Sequence, residues 1–213
     1  MVSTAPVGGW VASARYGDSI APGGLAFVED LLNTASAGRP RLPDLLADRD
    51  DAQQWLDGAL RALRTVGDDS LGDGVTLSAR DVRDLRLLRD DLRAGLFSGG
   101  RGPDDDGDAG QESVARGVAG LVLDQRGRVQ VRAQGQGADL IRSYVLLQLA
   151  VAEVQGQRGR LKVCANEACQ SAFFDLSKNS SRIWHDVKTC GNAANLRAYR
   201  RRLKEGASAG VAR

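Results

Sequence analysis

All three cysteines of the 213-residue chain, and its only histidine, fall in the 27 positions from Cys164 to Cys190. Their order is Cys164-x4-Cys169-x15-His185-x4-Cys190. Two close pairs across a hairpin-sized gap are how two tight turns deliver four tetrahedral N/S donors to one zinc ion. A filled Cys3His shell leaves no position for water or substrate. The spacing therefore predicts one Zn2+ that holds structure and performs no catalysis. Three inert buried cysteines, an iron–sulfur centre or a redox switch are the competing readings. Pairing of every such residue in the chain weighs against the first. An odd number of cysteines does not fit a closed disulfide framework.

Elsewhere the chemistry is sparse. No other histidine exists to serve as general base, and there is no glycine-rich phosphate loop. The acidic pairs Asp50–Asp51, Asp68–Asp69, Asp90–Asp91 and Asp104–Asp106 are expected in loops or on solvated faces. No enzymatic activity is expected. Charge is divided unevenly: residues 1–156 carry 17 Lys and Arg against 23 Asp and Glu, whereas residues 157–205 carry 11 against 4. A basic C-terminal module on an acidic body suggests a polyanion partner, most often nucleic acid. Beyond Cys190 the sequence reads as a helix. Arg197, Arg201 and Lys204 share one side of it, with Arg200 at the edge; Leu196, Tyr199 and Leu203 share another and are expected to pack on the finger or the body. Arg182 and Lys188 are expected to add contacts to DNA from the loops between the ligands.

These residues must be positioned by the elements around them. A strand in "RLKVC" leads into the first pair, and Phe173 and Phe174 are expected to form a small core that needs metal to hold. Upstream, apolar spacing predicts helices in 23–36, from about Asp50 to 63, and in 77–97, the last with Ser78 as N-cap. The Arg/Asp face of that helix reads as solvated. Alternation predicts a hairpin over 121–133 with its turn near Asp124–Gly127. Segment 137–155 is apolar nearly all round and is expected to be the central helix. Trp55 and Tyr144 read as core. Residues 98–112 read as an acidic loop and 206–213 as a flexible tail. The N-terminus lacks a secretory pattern, and the apolar run at 144–154 is too short to span a bilayer, so a cytoplasmic protein with no membrane partner is expected.

The segment from Cys164 to Arg202 resembles the zinc finger named after its Cys-Gly-Asn-Arg motif. The ligand spacing, Phe174–Asp175, and the run Ser177, Asn179, Ser181, Arg182, Trp184 carry the likeness. "GGLAFVEDLLNT" and "DDAQQWLDGAL" are similar to the opening of the ABATE-type helical domain. The resemblance implies a mainly α regulatory or sensor body with one β-hairpin over 1–156, then a small treble-clef-like zinc finger over 157–205. It also implies a stress-induced transcription regulator that binds DNA, with a small-molecule effector, a homodimer or a transcription-machinery partner as further expectations. The chain departs from the motif in having His185 as third ligand, Ala193 in place of the arginine and Asn195 in place of a lysine.

Overall fold

Burial of one short helix organises the body. Every residue of α1 (Leu25–Asn33) is buried, including Glu29, Asp30 and Asn33. A helix enclosed on all sides must satisfy its polar groups internally. The Asp30 carboxylate accepts from Ser13 N (2.7 Å) and from Trp55 Nε1 (2.8 Å). Around α1 stand α2 (Arg49–Thr65), α3 (Ala79–Ser98) and α4 (Gly137–Val154). The structure, a computed structural model, describes residues 9–98 and 115–200, except 18, 39, 194 and 198. Beyond Ser98, the acidic loop read at 98–112 lies outside the described residues, as does the tail.

Local sequence sets the helix starts. The Asp48 carboxylate accepts from the N–H groups of Asp50 and Asp51, capping α2. Ser78 and Asp81 exchange hydrogen bonds at the head of α3, a capping box with aspartate in the usual glutamate place. The other oxygen of Asp81 accepts from Ala138 N (2.9 Å), tying the start of α3 to that of α4.

Phe27 links the helices. Its ring lies 5.7 Å from that of Trp55 and meets Tyr144 edge-on at 5.4 Å. Trp55 and Tyr144 are thus core, as their setting in the sequence suggested. The α4 helix contacts α1, α3 and both strands of the first hairpin, so it is central as expected. It is not buried all round, because Val151 and Val154 face solvent.

Two two-stranded antiparallel sheets complete the described residues. The first pairs β1 (Val118–Leu123) with β2 (Val129–Gln134) about the turn expected at Asp124–Gly127. The second pairs β3 (Leu161–Val163) with β4 (Ala172–Phe174). Among the described residues, no helix is long and apolar enough to cross a membrane.

The Arg/Asp face of α3 is not wholly solvated. Arg89 is buried, donating to Asp44 (2.7 Å) and Thr34 (3.2 Å), and Arg93 donates to the carbonyls of Leu32 (2.8 Å) and Gln170 (2.6 Å). Their charge marked a surface, whereas their long side chains act as tethers between segments distant in sequence.

Candidate metal centre

The four sequence-predicted ligands converge. Cys164 Sγ, Cys169 Sγ, Cys190 Sγ and a ring nitrogen of His185 all lie within 4.8 Å of one another. His185 Nδ1 is 3.5 Å from Cys169 Sγ and 3.6 Å from Cys190 Sγ. A tetrahedral zinc shell, with bonds of about 2.0–2.3 Å, places its donors ~3.5–4 Å apart. The donor set and its spacing fit one Zn2+, with Nδ1 as the imidazole donor.

Each ligand is placed by a local device. Cys164 and Cys169 sit in the tight turn that joins β3 to β4. Cys164 N donates to Ser171 O (2.9 Å) and Cys169 N to Asn166 O (2.7 Å), and Gln170 takes a φ of 58° to complete the turn. Cys190 lies in a single wide helical turn, Val187–Gly191, which Asp186 caps by accepting from Lys188 N (2.7 Å). Gly191 follows because a side chain there would press on Trp184: an added Cβ would lie 3.1 Å from the indole. Trp184 packs against the buried cluster of Cys164, Cys169, Phe173 and Cys190.

The loop between the ligand pairs is pinned by one acid and one amine. The Asp175 side chain is fully buried and accepts from Lys162 Nζ, Ser177 N and Arg182 N, each at 2.8 Å. Burial alone would raise its pKa, but these donors outweigh it and hold the carboxyl well below the usual carboxylate range. Lys162 also donates to the carbonyls of Ser180 (2.5 Å) and Arg182 (3.0 Å). The run Ser177–Arg182 is thereby fixed by polar contacts, and Trp184 beyond it by packing on the cluster.

A hydrogen bond from the Cys164 thiol pushes the Cys169 thiol down and Cys164 up. A divalent ion held by Cys164, Cys169, His185 and Cys190 would take over the role of that proton and ionise both.

The finger rests on the body through β4. Strand alternation sends Phe173 to the metal cluster and Phe174, with Leu161 and Ala172, into the main core. The two phenylalanines therefore do not share one small core, contrary to the sequence expectation. Along the outer edge of β4, Asn33 accepts from Ala172 N (2.8 Å) and donates to Ala172 O (3.1 Å). One helical turn earlier, the Glu29 carboxyl accepts from Phe174 N and from Ala21 N, the latter at 2.7 Å. Burial dominates at Glu29 and raises its pKa to about 8; it also raises that of Asp30, to about 6. Sequence reading missed this adjacent acid pair; their place on the apolar helix face was the signal.

Residues 160–203 match the family model of the CGNR zinc finger. Comparison with curated proteins gave no match. The match covers the whole cluster, and with the ligand geometry it gives the C-terminal part of the chain as a zinc finger with one Cys3His centre.

The residues expected at nucleic acid are placed unequally. Lys188, Arg197 and Arg200 are exposed. Arg197 also donates to Asn166 Oδ1 (2.8 Å), which ties its helix back to the first ligand turn. Arg182 is half-buried, donating to the His185 carbonyl and stacking over Phe173 at 5.5 Å, so it serves the finger itself. Arg201 and Lys204 lie outside the described residues. Leu196 and Tyr199 do not pack as expected; they remain 48% and 53% exposed. Ala193 borders a cavity of about 300 Å³ beside the metal centre, whose wall includes Arg15 and Asn166. The small side chain leaves room where the motif carries an arginine.

Proposed function

We propose that the protein is a DNA-binding transcription regulator whose finger is structural and whose C-terminal helix meets the duplex. The observation that carries this reading is the exposure of Lys188, between the last two ligands, and of Arg197 and Arg200 on the segment leaving the metal centre. Phosphate contacts by these cations give affinity that falls with salt, and contacts to base edges give whatever sequence preference exists. The four-donor shell supports a non-catalytic metal. A cytoplasmic setting, a role in stress response and a small-molecule effector of the body belong to the same proposal.

Fluorescence anisotropy of zinc-loaded protein on mixed-sequence duplexes tests it. Three phosphate contacts predict a slope of log K against log salt near −3, reduced by about 1 in Arg200→Ala. An absence of binding at low salt sinks the reading. A second reading is favoured by Leu196 and Tyr199, which are exposed on the same segment. There the finger docks on a protein of the transcription machinery and reads no DNA. Salt-insensitive binding lost in Tyr199→Ala would select it.

A further inference from the structure

The β1–β2 ribbon carries its apolar face outward. Its register places Ala119 opposite Ala133, Leu121 opposite Val131 and Leu123 opposite Val129, so these six side chains share one face. Val118, Gly120, Val122, Gln130, Arg132 and Gln134 fall on the other, which mixes two valines with polar groups. At the root of the apolar face, Ala133 is buried against the body. Further out, nothing among the described residues covers it: Leu121 is 74% exposed, Leu123 69%, Val129 63% and Val131 43%. An amphipathic ribbon normally turns this face to a core, and an isolated two-stranded hairpin has little stability of its own.

We propose that this face is a homodimer interface, formed by stacking the ribbons of two copies. The face bears no charged side chain, which favours an apolar partner over a nucleic acid or an acidic peptide. Residues 99–114, which precede β1 in sequence, are a poor candidate, because Val114 is their sole large apolar residue. A second copy brings an identical uncharged face, and two such faces stack as in a small sandwich. The four exposed side chains remove roughly 400 Å² per copy, about half of the ~800 Å² that a stable partner contributes. Gln125 and Arg126, exposed in the turn, stand at the margin to form a polar rim.

Sedimentation velocity on the zinc-loaded full chain, without DNA, tests this independently of the DNA reading. The expected result is a concentration-dependent dimer between about 1 and 100 μM. Leu121→Arg, at a solvent-facing site, should move the midpoint at least tenfold and leave the circular dichroism unchanged. Leu87→Arg, equally exposed but on α3, should leave the midpoint in place. A wild-type monomer throughout the range overturns the proposal. So does a dimer that survives Leu121→Arg or is lost with Leu87→Arg.

Discussion

The cores of the body and of the finger are built from different materials. Around Phe27, Trp55 and Tyr144 the body buries large side chains from four helices. Around the metal centre, three of the four buried cluster members are cysteines, and only Phe173, with Trp184 beside it, is a bulky apolar group. The first needs no ion, because water excludes its apolar surface. Remove the ion from the second and three thiols face each other with almost nothing to hold them. The finger compensates with directional bonds: Asp175 and Lys162 fix its loop, and Asn33 and Glu29 fix its strand. The body's stability thus scales with buried area, whereas the finger's depends on a few bonds and one ion.

The largest test of that contrast is metal removal. Chelation, or Cys164→Ser, should abolish zinc binding, since structural sites of this kind carry about 10 kcal/mol or more of apparent binding energy. Hydrogen exchange should then accelerate over 164–200 while α2 and the centre of α4 stay protected. Because Phe174, Leu161 and Ala172 belong to the main core, β3 and β4 should lose only part of their protection. Equal loss in α2 would break the contrast and make the molecule one cooperative unit.

The converse is Phe27→Ala. It leaves a cavity between Trp55 and Tyr144 and should cost about 3–5 kcal/mol of body stability by denaturant unfolding. Zinc content measured on the folded protein should stay near one per chain.

A smaller effect separates the acids. Burial raises the pKa of Glu29 to about 8 in the folded chain, against about 4.3 unfolded. The folded state therefore holds a proton that the unfolded state has released, and stability declines as pH rises from about 4.5 towards 8. Asp175 has the opposite sign: its folded pKa is depressed, so its contribution is present above about pH 4 and is lost on acidification below that. Glu29→Gln should flatten the decline of Tm between pH 6 and 8, above the range in which Asp30 contributes, while leaving the acid limb unchanged. A decline that persists in this variant would mean that the slope comes from elsewhere.

Much of this arrangement was legible in local patterns. Cys164, Cys169, His185 and Cys190 announced themselves by type and spacing. Ser78 with Asp81 marked the start of α3, and alternation about Asp124–Gly127 gave the first hairpin. Residues acting over long separations were not legible. Arg89 and Arg93 looked like solvated charge because helical periodicity reports a face, not the acceptor that waits 55 or 77 positions away. Phe173 and Phe174 looked alike because strand alternation divides neighbours only once both sides of the strand are known to be covered. Leu196 and Tyr199 formed an apolar sector with no packing partner, which periodicity alone cannot distinguish from a buried one.

Asn33 and Glu29 stand one helical turn apart on α1, a rise of about 6 Å, and Ala172 and Phe174 stand two strand residues apart, about 6.6 Å. The near match of these repeats lets a helix imitate a neighbouring strand through its side chains. It also closes the outer edge of β4, which would otherwise be a template for another chain. The amide of Asn33 supplies one donor and one acceptor to Ala172, a complementarity that neither aspartate nor leucine reproduces. The finger is thereby seated in one register on the body, and any motion that lifts it must unzip this borrowed strand first.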